Sequence, residues 1–157
     1  MVTVRSEEER VLSIINFFKD YKFYILSVIL LVAISVGGYF FSESVKSNKI
    51  QAAKVLYEDW QVTPAQEGRE QLFQNLTENY SDTGYSHLAL LKKGSDLAKE
   101  NKLQESLKLF YQLKDNSDGF FGNALMNGLA RTNIARISIS LGNFEDALAV
   151  LEKYSND

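Results

Sequence analysis

Residues 23–41, FYILSVILLVAISVGGYFF, form a run of 19 residues without a charged side chain. An α-helix rises about 1.5 Å per residue, so roughly 20 apolar residues cross a hydrocarbon layer about 30 Å thick. Lys22 and Glu43 lie on the two sides of the run, and its length matches one crossing. Tyr24 and Tyr39 lie near its ends, where amphipathic rings favour the headgroup region. The run therefore predicts one transmembrane helix.

Two other kinds of segment have similar sequences. A buried core helix can be equally apolar, and a cleaved signal peptide has an apolar region of about 7–15 residues followed by small residues at the cleavage site. In this chain the bulky side chains of Tyr39, Phe40 and Phe41 occupy that place, and there is no A-x-A pattern. We therefore interpret residues 23–41 as an uncleaved transmembrane anchor.

Basic residues beside the anchor indicate its orientation. They are Arg5, Arg10, Lys19 and Lys22 before the run, and Lys46, Lys49 and Lys54 after it. Because cytoplasmic flanks carry the excess of Lys and Arg, this small difference favours a cytoplasmic N-terminus. Residues 1–22 are then a cytoplasmic tail, in which residues 7–21 have the pattern of an amphipathic helix. That helix would lie in the membrane interface, contact a partner, or form a frayed juxtamembrane extension.

The remaining residues, 42–157, are enough for one domain. The chain has one proline and no cysteine, and sparse proline suits long helices. Apolar residues recur at helical spacing and no segment shows sustained strand alternation, which predicts an all-α domain. Acidic and basic residues are mixed along this part, so it lacks the clustered basic face that a nucleic-acid partner requires.

Turn and cap residues predict where the helices begin and end. Thr63 is predicted to cap a helix whose first residue is Pro64, because proline is favoured at the first helical position. The anchor helix is predicted to continue over residues 42–60, later helices to cover residues 85–101, 103–113, 120–141 and 144–154, and residues 115–119 to form a loop.

The domain contains an internal repeat with a period of 41 residues. The segment KENKLQESLKLFYQL, residues 99–113, aligns with SLGNFEDALAVLEKY, residues 140–154. The aligned pairs are Asn101 with Gly142, Leu103 with Phe144, Ser106 with Ala147, and Phe110 with Leu151; in the preceding helices, Leu90, Gly94 and Leu97 form the pattern of the first unit, and Ala135 takes the place of Gly94.

This order of a tight turn, a large residue, a small residue and another large residue is typical of the tetratricopeptide repeat (TPR). Small residues such as Gly94 and Ser106 would let two helices approach closely. The usual period is about 34 residues, so we expect the additional residues around 115–125. The predicted fold class is all-α, with a single N-terminal transmembrane helix followed by a TPR-like soluble domain, an α-α superhelix.

Small residues also recur one turn apart within the anchor. Ala33 is followed four residues later by Gly37, and Gly38 by Ser42. Such spacing lets membrane helices pack closely, although small residues are common in membrane spans in general. Ala33, Gly37 and Gly38 are therefore candidates for helix packing in the membrane.

The sequence offers no catalytic constellation, and we expect neither an enzyme nor a bound cofactor or small-molecule substrate. His87 is the only histidine and there is no cysteine, so a zinc site or a Cys–His pair is excluded. We expect His87 to be a packing or surface residue. The segment DNSDG, residues 115–119, resembles the start of a calcium loop, but Met126 occupies the place of the bidentate glutamate. We interpret this segment as a plain turn.

Taken together, these features resemble the YfgM-like TPR proteins of the bacterial inner membrane, which are ancillary subunits of the SecYEG translocon. The likeness covers nearly the whole chain and is strongest over residues 85–110 and 133–151. The family typically continues with further helices, which leaves a C-terminal groove in doubt for this chain.

The resemblance implies a single-pass type II protein whose residues 42–157 form a periplasmic domain. It implies membrane lipid, the SecYEG translocon and a periplasmic parvulin-like (PpiD-like) chaperone as partners, with a role in protein translocation and chaperone recruitment. The alternative is a scaffold subunit of another cell-envelope assembly, such as a secretion or pilus apparatus.

Overall fold

A computed structural model describes residues 7–120 and 122–155. Over these residues it contains α-helices joined by short connections and no β-strand. The helices are α1 Glu7–Asp20, α2 Lys22–Val62, α3 Gln66–Asn79, α4 Gly84–Lys99, α5 Leu103–Asn116, α6 Ala124–Ser140 and α7 Phe144–Ser155. The predicted all-α class is therefore confirmed.

The chain divides into two compact units, Met1–Lys46 and Ser47–Asp157. Unit 1 contains α1 and the first part of α2, which includes the apolar run. None of the apolar window in α2 is buried within the protein, as it would be in a core helix of this chain; α2 is long and apolar enough to cross a membrane or to be a signal sequence. The hydroxyls of Ser27 and Ser35 donate to the carbonyls of Phe23 and Leu31 at 2.8 and 2.9 Å. These bonds satisfy the two hydroxyls within the helix itself.

The predicted start of α3 is wrong by two residues. Thr63 does not cap α3, because its hydroxyl and its N–H both bond the Asp59 carbonyl, at 2.7 and 2.9 Å, and so complete the end of α2. Ala65 is the N-cap of α3 and makes no side-chain cap hydrogen bond. Pro64 lies between the two helices, outside the first helical position.

The connection between α5 and α6 also differs from the prediction. α5 continues to Asn116, and α6 begins at Ala124 instead of residue 120. Ser117 donates its hydroxyl to the Leu113 carbonyl at 2.6 Å, and Asn123 caps α6 by accepting from the Met126 N–H at 3.1 Å. Residues 117–120 and 122–123, which the structure describes between these helices, belong to a loop that falls within the region expected to hold the additional residues of the long repeat.

Unit 2 is a stack in which each helix from α3 to α7 packs on the next one along the chain. α4 and α6, which are two apart along the chain, also touch. Leu76, Leu90, Phe110, Leu113 and Ile134 are fully buried in one core. This arrangement removes large apolar side chains of α3 to α6 from water and holds these helices side by side.

The part of α2 that belongs to unit 2 is held by aromatic side chains. Trp60 lies 5.8 Å from the ring of Phe73 in α3, and Tyr57 lies 5.8 Å from the ring of Tyr85 in α4. Ala53 is fully buried. Burial raises the pKa of the Tyr57 hydroxyl. These contacts make residues 47–62 an integral helix of the domain.

Candidate functional site

Two turns in unit 2 have the same backbone hydrogen bonds, 41 residues apart. After α4, the N–H groups of Asn101 and Lys102 donate to the carbonyls of Ala98 and Leu97 at 3.1 and 2.9 Å. After α6, Gly142 donates to Ile139 at 3.0 Å and Asn143 to Ser138 at 2.8 Å. Each pair is the Schellman arrangement that ends a helix.

The central residue of each turn has a left-handed backbone, with φ of 61° at Asn101 and 79° at Gly142. Glycine takes this conformation without cost, and asparagine tolerates it better than most residues. Asn101 therefore fulfils in the first unit the role that glycine has in the second.

The first unit closes around a glycine. A methyl group at Gly94 would lie 3.1 Å from the Phe110 ring, so α4 and α5 approach as closely as a missing side chain permits. The buried hydroxyl of Ser106 donates to the Gly94 carbonyl at 2.7 Å. Leu90 is fully buried beside them, while Leu97 is half-buried. The structure thus brings Gly94, Ser106 and Phe110 together.

The second unit pairs α6 with α7 through small residues. Ala135 and Ala147 are both buried. The large residues of the motif behave differently, because Phe144 and Leu151 are exposed instead of packed inside. The repeated sequence pattern therefore has different surroundings in its two copies.

Exposed apolar side chains collect on this last pair of helices. We call Phe144, Leu148 and Leu151 the α7 stripe; they are spaced by four and three residues, which places them on one face of α7. α6 exposes Leu125, Leu129 and Ile139. Exposed apolar side chains at helical spacing are candidates for contact with another molecule.

Within the anchor, Ala33, Gly37 and Gly38 have exposed side-chain positions. A methyl group added at either glycine would meet nothing within 4 Å. The structure thus leaves this face of α2 uncovered along the apolar run.

Sequence reasoning missed Arg131, which is buried although it is charged. Its Nε donates to Asn127 Oδ1 at 2.6 Å and its Nη1 to the Val150 carbonyl at 3.3 Å. Asn127 in turn donates to the Lys114 carbonyl at 2.8 Å, so the network joins α5, α6 and α7. In the repeat register Arg131 corresponds to the buried Leu90. This alignment of an arginine with a core leucine is the sequence signal from which the burial of Arg131 could have been predicted.

His87 is buried near the N-terminus of α4, and neither ring nitrogen makes a hydrogen bond within the described part of the chain. Burial lowers the pKa of the imidazole. Backbone groups of Asn116 and Ser81 and the Asp82 carboxylate act on this pKa in the opposite direction, but their effect is smaller. The ring borders a cavity of about 690 Å³ that also touches Asn116 and Asp118. His87 thus contributes to the packing of α4.

Charged groups around this region are engaged in pairs. Lys49 lies 2.5 Å from Asp82, and the hydrogen bond from Lys49 is the largest cause that lowers the pKa of the Asp82 carboxyl. Lys93 lies 2.6 Å from Glu70 and 3.9 Å from the Phe73 ring centre. Among the described residues, no group of three or more His, Asp or Glu side chains is placed to hold a metal ion.

A family model described as a tetratricopeptide repeat-like domain matches residues 16–157. The match includes the apolar run as well as the whole of unit 2. No curated protein and no solved structure gives a significant match.

Proposed function

Since the chain belongs to the tetratricopeptide repeat-like family, we propose that it is a membrane-anchored module that binds other proteins. The observation that carries the proposal is the combination of a helical repeat, typically a non-catalytic interaction scaffold, with one long, exposed apolar helix that could span a membrane. Stacked helix pairs present extended surfaces on which partner proteins bind.

The membrane would concentrate the module beside its partner. A tethered domain reaches effective concentrations on the order of millimolar for a short linker, which allows a modest contact surface to be occupied. The anchor is expected to add lateral packing through Ala33, Gly37 and Gly38. Neither the span nor the domain alone would then be sufficient for a stable association.

The partner that we favour is the SecYEG translocon, together with a periplasmic parvulin-like (PpiD-like) chaperone. This finer proposal is supported by the resemblance to the YfgM-like proteins and by the small excess of basic residues before the span. The module would sit in the bacterial inner membrane with its N-terminus in the cytoplasm and unit 2 in the periplasm. There it would hold a chaperone near the channel exit.

The orientation is tested by protease added to cells whose outer membrane has been opened osmotically. We expect digestion of the chain after residue 42, with the tail of residues 1–22 protected. Full protection of unit 2 would reverse the orientation. An intact mass measurement on the membrane fraction separates the anchor from a cleaved signal sequence, because cleavage would remove residues 1–41 and release the domain.

The partner is tested by crosslinking the full chain in its native membrane and identifying the crosslinked proteins. We expect translocon subunits and a periplasmic chaperone. In two matched variants the apolar run is replaced by an unrelated span of equal length. One variant keeps Ala33, Gly37 and Gly38 in their positions, and the other does not. Only the variant without these three residues should recover less of the channel.

The alternative is a scaffold of another envelope assembly. It would be supported if the crosslinked proteins were secretion-system or pilus components and no translocon subunit was among them. Equal recovery of the channel with both replaced spans would exclude the packing role of the small residues while leaving the interaction module itself in place.

A further inference from the structure

The α7 stripe has an exact counterpart in the first repeat unit. Phe144, Leu148 and Leu151 correspond to the α5 residues Leu103, Leu107 and Phe110 in the 41-residue register. Both sets have the same spacing and occupy the same face of equivalent helices.

The two faces differ greatly in burial. Phe110 is 0% exposed, and Leu103 and Leu107 are partly buried against the core. On α7 the exposed fractions are 67% for Phe144, 59% for Leu148 and 41% for Leu151. The side chains are equally apolar, so the difference comes from their surroundings.

Those surroundings differ by one helix. α5 packs against α4 and also against α6, whereas α7 packs against α6, with no second neighbour among the described helices. Within this same chain, the surface equivalent to the α7 stripe thus lies in a helix that is covered on both sides by other helices. An α-helix with an apolar face is therefore the shape that fits the stripe.

Charge beside the stripe restricts what kind of helix fits. Glu145 and Glu152 are both exposed, and they lie three residues before and four residues after Leu148. This spacing places both carboxylates next to Leu148 along one edge of the stripe. The equivalent positions on α5 are Gln104 and Tyr111, so the acidic edge belongs to α7 alone.

The same edge disfavours a second copy of this chain as the occupant. Two α7 helices paired through their stripes would each bring an acidic edge to the contact, and carboxylates of like charge repel each other. A helix flanked by Lys or Arg gains an attraction where a second α7 meets repulsion.

We propose that the α7 stripe is a docking surface for an α-helix of a partner protein, with an apolar face flanked by Lys or Arg. The proposal deepens the proposed function, since it specifies the surface and the chemistry by which the module binds. Apolar side chains at i, i+3 or i+4, and i+7 of the partner helix would contact Phe144, Leu148 and Leu151.

The test uses the full chain in nanodiscs of zwitterionic lipid and two synthetic helical peptides with the same leucine and alanine face. One peptide has lysine flanks and the other has glutamate flanks. Binding is measured by fluorescence anisotropy, with empty nanodiscs subtracted. We expect the lysine peptide to bind at least about tenfold more tightly than the glutamate peptide at low salt, since attraction replaces repulsion at the edge.

Substitutions separate the apolar and the charged contributions. Leu148→Gln should lower the affinity for the lysine peptide roughly tenfold, because binding then no longer removes a leucine side chain from water. Val55→Gln is the matched control on α2, with a similar exposed fraction of 55%, and should leave binding unchanged. The double variant Glu145→Gln, Glu152→Gln should lower the affinity for the lysine peptide about threefold to tenfold at low salt. At high salt the affinities of the variant and the natural chain should differ less, because salt screens the charges.

Equal binding by Leu148→Gln and Val55→Gln would overturn the proposal. The proposal would also be overturned if sedimentation showed a dimer that Leu148→Gln dissociates, because the stripe would then be occupied by a second copy. If either result appeared while crosslinking in the native membrane still captured a translocon or chaperone subunit, the interaction module would stand and only this surface would be rejected.

Discussion

The two repeat units are built on one sequence pattern but differ in how closely their helices pack. In the first unit the Phe110 ring lies so near Gly94 that an added methyl group would be 3.1 Å away, and Phe110 is fully buried. In the second unit the equivalent Leu151 is partly exposed, although the small residues Ala135 and Ala147 are buried. The pattern therefore specifies which helices pair, while the number of neighbouring helices decides how much apolar surface leaves water.

A second difference lies inside the two cores. Leu90 fills the first unit with an apolar side chain, whereas the equivalent Arg131 fills the second with a guanidinium that must be hydrogen-bonded. Its bonds to Asn127 and to the Val150 carbonyl replace those that water would provide. The second unit thus relies partly on polar contacts where the first relies on close apolar packing.

The largest expected contrast between the units comes from truncating their equivalent large residues. Phe110→Ala should lower the free energy of unfolding by about 3–5 kcal/mol, because it leaves a cavity in the core. Leu151→Ala should cost less than about 1 kcal/mol, since the side chain is already partly in water. Thermal unfolding of the full chain, followed by circular dichroism in mild detergent, measures both. Equal losses would mean that α7 is as well covered as α5.

Overpacking tests the interface of the second unit. Ala147→Leu should cost roughly 1–3 kcal/mol, because the buried methyl group at the contact with α6 leaves no room for three more carbon atoms. Ala149→Leu is the control on the same helix, where the side chain is exposed, and should change stability by less than about 0.5 kcal/mol. Similar melting temperatures for the two variants would show that the register of α7 is misplaced.

The two turns provide a smaller comparison. Gly142→Ala should lower the free energy of unfolding by about 1–2 kcal/mol, because the side chain of alanine makes a backbone with a φ of 79° unfavourable. Gly142→Asn should cost clearly less, since Asn101 holds the same backbone in the first unit. The same melting experiment ranks the variants. If asparagine were as costly as alanine, the two turns would not be equivalent.

The smallest effect concerns pH and belongs to the first unit alone. The folded-state pKa of His87 lies below its ordinary value of 6.5, so the unfolded chain binds its proton first. The contribution of neutral His87 to stability is therefore complete above pH 6.5 and is lost as the pH falls toward the lower, folded-state pKa. The loss is at most about 1.4 kcal/mol per pH unit.

His87→Gln should flatten this dependence, which is measured as the change in melting temperature between pH 7.5 and 5.5. Asp82 titrates below this range, because its pKa is lowered by Lys49, and so it does not interfere. An identical slope in the variant and the natural chain would show that His87 does not change its proton affinity on folding.

Much of this architecture could be predicted because it depends on local signals. Helical periodicity predicted the all-α class, and an uninterrupted apolar run predicted the long exposed helix. The exact start of α3 could not be predicted, since a threonine at position 63 can either cap the next helix or complete the end of the previous one. In the structure Thr63 completes the end of α2, through its hydrogen bonds to the Asp59 carbonyl.

The sequence by itself determined the pairing pattern of the repeat, because turn residues such as Asn101 and Gly142 and small residues such as Gly94 act within one helix pair. Tertiary structure alone decided that Arg131 and His87 are buried and that the α7 stripe is exposed. Burial depends on which helices lie on both sides of a residue, and a repeated apolar pattern looks the same in the sequence whether or not a neighbouring helix covers it. The exposed fraction of α7 was therefore decided by its position in the stack.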